Sequence, residues 1–461
     1  MKQLFGTDGI RAEAGKFPLD PRTVAIVGFS LATHLREKVG ADPVIVVGRD
    51  TRESGTWIER ALINGAAAAG ACCQSAGVIT TPGVALLGKR LNAHAGVVIS
   101  ASHNPYYDNG IKIFSPTGRK IDDSIERIIE ADIFNQGNNN ARFDLDSGSS
   151  QKSEADGMPE NSLQELYLKF LTDDIGHDLS VRNVRLVIDC ANGASSSLAP
   201  ELFRRLGADV VAINNEPDGR NINLNCGSLH IDGLRNRVIA ENADLGVAFD
   251  GDADRALFID ERGTFVDGDA TLWLLANYLL SQNKLKRSTV VATVMSNVGL
   301  EIALKSKGLQ LIRTDVGDKY VLEELLRGSF SLGGEQSGHV IMPELSLAGD
   351  GMITALCTLR AMIRADKSLG ELTSGFKRYP QILLNVKVSN KQPFQELPNV
   401  QKVVQATEKK LEGRGRLLLR YSGTERLARV MIEGEDQVEI ENFAGAIANE
   451  IEAAIGLNAN T

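Results

Sequence analysis

The chain is 461 residues long, more than one hydrophobic core serves, which predicts two to four domains. Hydrophobic residues make up 43% and charged residues 24%, the values of a globular protein rather than a disordered or fibrous one. Fifty basic against fifty-nine acidic residues give a net charge of -9, which argues against nucleic acid or an anionic membrane as partner. A small anionic ligand stays open, because its pocket needs only a few local cations.

No apolar run reaches the roughly 18 residues of a membrane span, and the longest candidate, Thr271 to Leu280, is broken by Asn277 and Tyr278. The start, Met1 to Asp8, lacks an apolar signal region and predicts a cytoplasmic protein. Cys72, Cys73, Cys190, Cys226 and Cys357 make no CxxC and no metal-site spacing, so buried free thiols are expected.

The first segment opens with Gly6-Thr7-Asp8-Gly9-Ile10-Arg11, two glycines around a hydroxyl and a carboxylate, then an arginine. Asp20-Pro21 reads as an N-cap followed by proline at the first helical position, with apolar Val24, Val27, Leu31 and Leu35 recurring at helical spacing to about Lys38. A buried strand at Val44 to Val47 ends in the polar loop Gly48 to Arg52. A helix near 56–69, a strand near 73–79 and a short helix after Pro82 lead to a further strand, Ala95 to Ile99. That strand feeds Ser100-Ala101-Ser102-His103-Asn104-Pro105, and a second short strand carries Lys112. In open α/β sheets ligands bind beyond the carboxyl ends of the strands, so Ser102 is the first candidate for chemistry, with His103 and Lys112 close in sequence. A serine and an asparagine that merely cap a turn would read the same way.

After a helix from Asp122 to Phe134, residues 135–157 are polar and read as a mobile excursion or domain boundary. A helix from Pro159 to about Ile175 leads into a second α/β unit with strands Val184 to Ile188, Val210 to Ile213 and Leu245 to Phe249. The last of these delivers Asp250-Gly251-Asp252-Ala253-Asp254-Arg255. A third unit has strands Thr289 to Val294, Leu309 to Ile312 and Phe330 to Leu332, ending in Gly334-Glu335-Gln336-Ser337-Gly338-His339, and closes with a helix at 349–363. From about Gly370 the pattern changes. Strands Ile382 to Val388, Arg416 to Leu419 and Ala428 to Ile432, with helices Val400 to Leu411 and Val438 to Ile455, predict a smaller α+β domain. The expected fold is therefore α/β: three related domains with mixed or parallel sheets, at 1–157, 158–256 and 257–370, and a smaller α+β domain at 371–461.

Asp250, Asp252 and Asp254 alternate with small residues and can converge. Two carboxylates about 4 Å apart repel by roughly 4 kcal/mol at an effective dielectric of 20, so three need a cation or raised pKa values. A hard divalent ion satisfies them, and Mg²⁺ is favoured where a phosphate adds oxygen ligands. A calcium loop counted from Asp250 fits poorly, because Arg255 stands where that loop needs glycine; a metal-free acidic turn is the third possibility. Arg420-Tyr421-Ser422-Gly423-Thr424 offers a guanidinium fork, hydroxyls and a flexible backbone to a phosphate, and Arg429 offers a second fork. Arg11 can do similar work beside Ser102. Glu335, Ser337 and His339 suit a polyhydroxylated or aminated ligand. The residues alone thus give an α/β enzyme handling a phosphorylated polar molecule with a divalent metal, and leave mutase against phosphatase open.

The stretches G-T-D-G-I-R (6–11), A-S-H-N-P (101–105), D-G-D-A-D-R (250–255), G-E-Q-S-G-H (334–339) and R-Y-S-G-T-E (420–425) resemble, in order and spacing, the motifs of the α-D-phosphohexomutase superfamily. With V-A-T-V-M-S-N-V-G-L-E at 291–301, the chain is most similar to its bacterial phosphoglucosamine mutases. The resemblance implies four domains around a central cleft, a phosphoryl group on Ser102, and Mg²⁺ held by that phosphate with Asp250, Asp252 and Asp254. It implies that Glu335 and Ser337 bind sugar hydroxyls with His339 nearby, and that Arg420, Ser422, Gly423 and Thr424 grip the phosphate not being transferred. The implied substrate is a phosphorylated amino sugar: glucosamine 6-phosphate would become glucosamine 1-phosphate through glucosamine 1,6-bisphosphate, on the way to cell-wall precursors, with a sugar bisphosphate as primer. Arg255 and Lys112 would supply charge and Lys112 or His103 would move the proton. Ala12, where the family has glycine, and Arg426, where it has proline, depart from the pattern. A phosphomannomutase or phosphoglucomutase, a Mg²⁺-dependent sugar phosphatase and a silent phosphosugar binder are the alternatives; a monomer and a homodimer are equally compatible.

Overall fold

The computed structural model describes residues 4–6, 8–138, 158–422 and 426–457. The chain forms two compact units, Met1–Val294 with Ile312–Thr373, and Met295–Leu311 with Ser374–Thr461. Among the described residues no helix is long and apolar enough to cross a membrane.

The larger unit begins with a six-stranded sheet in the spatial order Phe5–Gly6, Gly9–Glu13, Asp108–Phe114, Ala95–Ile99, Val44–Arg49, Cys72–Val78. Val44–Arg49 pairs in parallel with both neighbours, whereas Asp108–Phe114 runs antiparallel to Ala95–Ile99, so the sheet is mixed. That reversal returns Lys112 beside the strand that carries the chain into Ser102. Helix Pro21–Val39 starts where the Asp20 carboxylate accepts the Thr23 N–H, and it ends at Gly40 in the left-handed region. Gly28 in this helix and Gly65 in helix Gly55–Ala68 each lie against the other helix's backbone, where a Cβ would collide. Val24, Val27, Leu31, Ile58 and Leu62 are buried in the core between these helices and the sheet. The helix expected to stop at Phe134 runs Asp123–Asn138, and residues 139–157 of the polar excursion lie outside the described residues.

The second sheet has the order Phe265–Val266, Ala256–Asp260, Leu245–Phe249, Arg185–Asp189, Asp209–Ile213. Leu245–Phe249 and Ala256–Asp260 form an antiparallel pair, so the boundary expected at 256 falls inside this sheet, which continues to Val266. The aspartate trio is the connection between the two. A third sheet, ordered Gln310–Thr314, Thr289–Thr293, Gly333–Gly334, Val340–Ile341, holds the Glu335 turn. The ladder runs over Gly333–Gly334, just past Phe330 to Leu332, with the Leu332 carbonyl accepting the Val291 N–H at 3.0 Å at its start.

The smaller unit is a three-stranded antiparallel sheet, Gln381–Lys387, Leu427–Gly434 and Gly415–Tyr421, covered by helices Pro398–Leu411 and Gln437–Ile455. Val400, Val404, Ile440, Ile447 and Ile451 fill its core. Residues 295–311, which connect two strands of the third sheet, group with this smaller unit. The fully buried Glu433 carboxylate explains it, accepting the Val298 N–H at 3.0 Å while pairing with Arg416 at 2.9 Å; Asn297 Nδ2 also donates to Tyr379 O at 3.0 Å.

Candidate active site

Strand Ala95–Ile99, buried throughout, ends at a loop in which Ser102 takes a φ of +52°. A non-glycine residue in the left-handed region is strained and tends to mark a functional loop. Ser102 Oγ donates to Asp250 Oδ2 at 2.5 Å and lies 3.3 Å from His103 Nδ1. The serine thus faces a carboxylate on one side and an imidazole on the other.

Asp250, Asp252 and Asp254 are buried, and their carboxylate oxygens lie within 4.8 Å of one another. A tight antiparallel connection makes this possible, helped by Ala253 at φ +54°. Asp252 Oδ2 accepts from Thr81 Oγ1 at 2.6 Å and Lys112 Nζ at 2.8 Å. Asp252 Oδ1 is buried with no hydrogen-bond partner among the described residues, and so is Asp254 Oδ1. Buried carboxylate oxygens left unsatisfied are costly, and an all-oxygen donor set fits a hard divalent cation. The loop lies between two strands, unlike the helix-flanked calcium loop.

Lys112 is 1% exposed and also lies 3.1 Å from Asp8 and 3.5 Å from Asp254. Burial pushes the ammonium down, but Asp252, Asp8 and Asp254 more than reverse this, and its pKa stands well above the usual lysine value. These carboxylates favour the protonated, cationic form of Lys112. For His103, burial followed by the positive charges of Arg255 and Arg11 lowers the pKa to about 4, so the ring is neutral at pH 7. Burial of Asp250, followed by repulsion from Asp254 and Asp252, raises its pKa well above the ordinary value.

A cavity of about 530 Å³ opens beside these groups, lined among others by Arg11, His103, Asp254, Arg255, Glu335 and His339. The Arg255 N–H donates to Asp250 Oδ1 at 3.2 Å, and Arg11 pairs with Asp8. Glu335 Oε1 accepts the Gly317 N–H at 3.1 Å, and Oε2 accepts Ser337 Oγ at 3.3 Å. His339 is nearly buried, its Nδ1 3.7 Å from Asp254 Oδ1 and its Nε2 3.9 Å from Asp318 Oδ2. Burial opposes its charge, yet Asp254, Asp318 and Glu335 raise its pKa to about 9.

Ser102, His103, Lys112, Arg11, Arg255, the three aspartates, Glu335, Ser337 and His339 all fall in the larger unit, around this cavity and the acidic cluster behind it. Arg420, Ser422 and Arg429 belong to the smaller unit. There Arg420 and Arg429 sit directly opposite each other on paired strands, and the Ser422 carbonyl accepts Lys391 Nζ at 2.6 Å. Gly423 and Thr424 lie outside the described residues. Asp8, Asp50, Arg52, Thr81, Asn223, Asp318 and Lys391 were not expected from the sequence. Asp8, Asp50 and Arg52 stood in loops already singled out, but only the fold brings them to their partners.

Family models for the phosphoglucomutase/phosphomannomutase family match the chain in four successive parts: α/β/α domain I at residues 2–140, domain II at 165–263, domain III at 267–379 and the C-terminal domain at 383–450. A phosphoglucosamine mutase of Solibacter usitatus is 49% identical over 455 residues, covering 99% of each chain. One from Koribacter versatilis is 47% identical over 465 residues, covering 99% of this chain and 98% of that one. Among solved structures, a phosphoglucomutase/phosphomannomutase family protein from Burkholderia thailandensis aligns with a TM-score of 0.78 at 21% identity, over 99% of this chain and 100% of that one. The N-acetylphosphoglucosamine mutase of Aspergillus fumigatus, solved with GlcNAc-6P and magnesium, gives 0.63 at 18% identity, over 98% and 96%, a likeness of fold. With near-complete coverage at close to half identity, the chain belongs to the phosphoglucosamine mutases of the phosphoglucomutase/phosphomannomutase family.

Proposed function

We propose that this enzyme interconverts glucosamine 6-phosphate and glucosamine 1-phosphate, with Ser102 as the phosphoryl carrier and glucosamine 1,6-bisphosphate as the intermediate. The observation that carries the reading is the 2.5 Å approach of Ser102 Oγ to Asp250, beside the aspartate trio and a cavity large enough for a hexose phosphate. In one half-reaction the Ser102 Oγ–P bond breaks as a bond forms between phosphorus and a sugar hydroxyl oxygen. In the other, Ser102 Oγ attacks the second phosphoryl group of the bisphosphate, and the bond between that phosphorus and the sugar oxygen breaks, which frees the sugar hydroxyl. His103, neutral at pH 7 and with Nδ1 3.3 Å from Ser102 Oγ, takes the proton of whichever hydroxyl attacks, the sugar's or the serine's, and returns it to the oxygen that leaves. Lys112 and Arg255 hold positive charge where the transferring phosphoryl oxygens gather, which is most of what such a transfer requires.

Asp250, Asp252 and Asp254, with the phosphate on Ser102, would hold Mg²⁺, which when bound neutralises phosphoryl charge. Glu335, Ser337 and His339 take the sugar's hydroxyl and amino groups. Arg11 contributes charge at the cavity wall, and the segment with Arg420, Ser422, Gly423, Thr424 and Arg429 grips the distal phosphate. We further propose four domains, a cytoplasmic location, and a role in supplying amino-sugar precursors for peptidoglycan, as monomer or homodimer.

The test pairs intact-mass measurement with turnover of glucosamine 6-phosphate, for the native chain and for Ser102→Ala. A mass excess of one phosphoryl group that vanishes in the variant together with turnover supports the reading. Release of inorganic phosphate in step with substrate loss would replace it with a phosphatase. Comparing kcat/KM for glucosamine, glucose and mannose 6-phosphates tests the sugar assignment.

A further inference from the structure

We propose that Arg52 and Asn223 are positioning residues that hold the strained Ser102 loop by its backbone, and that Asp50 in turn holds Arg52. The inference rests on Ser102 being the phosphoryl carrier. Two carbonyls of that loop, those of Ser102 and Asn104, point at the same pair of donors. Arg52 Nη2 donates to them at 3.2 and 2.5 Å, and Asn223 Nδ2 donates to them at 2.9 and 3.1 Å. On its other side the Ser102 N–H donates to Ser100 Oγ at 2.9 Å, and Ser100 Oγ donates to Asp50 Oδ2 at 2.6 Å. The peptide groups on both sides of Ser102 are therefore tied.

Asp50 completes the frame. Its carboxylate accepts the Arg52 N–H at 3.0 Å and pairs with the Arg52 guanidinium, and both side chains are fully buried. A buried ion pair is a poor way to gain stability, so its presence asks for another reason. A planar guanidinium serves a carboxylate and two carbonyls at fixed angles at once, which a lysine cannot do. Asn223 arrives from a different part of the chain, its own N–H bonded to Ala191 O at 2.9 Å. Gly251, between two of the metal-loop aspartates, leaves the room: a Cβ there would stand 2.5 Å from Ser102 O and 3.0 Å from Asn223 Nδ2. The clamp thus sets where the serine hydroxyl points relative to Asp250 without touching that hydroxyl.

The experiment uses the full chain with Mg²⁺ and glucose 1,6-bisphosphate as primer, and compares native protein with Asn223→Ala, Asn223→Asp and Arg52→Lys. Three quantities are read: kcat and KM for glucosamine 6-phosphate, the rate at which Ser102 gains mass on priming, and the melting temperature. The clamp predicts that kcat and the phosphorylation rate fall together by up to about 10²-fold, the cost of a misplaced reacting atom, while KM stays within about twofold. Should Arg52→Lys fail to fold, Asn223→Ala and Asn223→Asp carry the same prediction, since Asn223 pairs with no buried charge. Folded variants with native kcat and native phosphorylation rate overturn the inference, even if they melt earlier. A native chain that neither takes up a phosphoryl group nor turns over overturns the mutase reading and this inference with it.

Discussion

Lys112 Nζ lies 2.8 Å from Asp252 Oδ2, an ion pair that joins positions 140 residues apart with both side chains essentially sealed from solvent. With Asp8 at 3.1 Å and Asp254 at 3.5 Å, this one ammonium offsets much of the repulsion within the acidic cluster. Removing one partner of a buried pair leaves uncompensated charge, at a cost of about 3 kcal/mol or more. Lys112→Met should therefore be destabilised by about that amount in EDTA and recover part of the loss when Mg²⁺ is added, because a second cation takes over the neutralisation. Equal melting of native and variant protein in EDTA would show that Lys112 does not hold the cluster together.

Asp250 behaves differently. Burial and its two neighbouring aspartates favour its neutral form in metal-free protein, and an amide closely copies a protonated carboxyl. Asp250→Asn should change metal-free stability by less than about 1 kcal/mol. Native protein should gain about 2.7 kcal/mol at a Mg²⁺ concentration 100 times the dissociation constant, by mass action, and the variant should gain almost none. Melting curves with EDTA and with Mg²⁺ measure both, and a full metal-induced shift in the variant would remove Asp250 from the ligand set.

Much of this site was legible in the sequence because its chemistry sits in short local runs at strand ends. Ser102 with His103, the alternating aspartates, and Glu335 with Ser337 are such runs, and each strand preceding the first two announces itself by unbroken apolar residues. What was illegible is pairwise and long-range. Thr81, an ordinary helix-start threonine in sequence, becomes a ligand of Asp252, 171 residues away, only once two sheets have formed. Arg52 closes a polar loop in the sequence, which gives no sign that its charge is buried. The attachment of residues 295–311 was illegible for the same reason: the helix at Val298–Ser306 was foreseen, but its contact with Glu433 was not. Apolar periodicity also placed the strand near Phe330 just short of the paired glycines, which carry no apolar side chain.

His339 makes stability pH-dependent in a defined window. Its folded pKa of about 9 lies above the unfolded value near 6.5, so folding favours the protonated ring. That contribution is complete below pH 6.5 and is lost as pH rises through 9. His339→Gln should cost the metal-free protein about 3 kcal/mol at pH 6 and little at pH 10. Urea unfolding of both proteins in EDTA at the two pH values checks this, and a pH-independent difference would mean that the ring is held by packing alone.

Arg420 and Arg429 face each other across paired antiparallel strands, with Asn385 opposite Arg429 on its other side. Like charges directly opposite on a sheet are destabilising by a few tenths of a kcal/mol to about 1 kcal/mol. An anion placed against both would turn that repulsion into attraction, through charge-assisted hydrogen bonds worth about 1.5–3 kcal/mol each. Arg420→Gln should therefore leave the free protein as stable as the native chain or slightly more so, while raising KM for glucosamine 6-phosphate by about tenfold or more. The same substitution should weaken the protection that inorganic phosphate gives against thermal unfolding. A variant that is less stable when free, with KM unchanged, would make the pair a structural feature of the sheet and leave the distal phosphate to other groups.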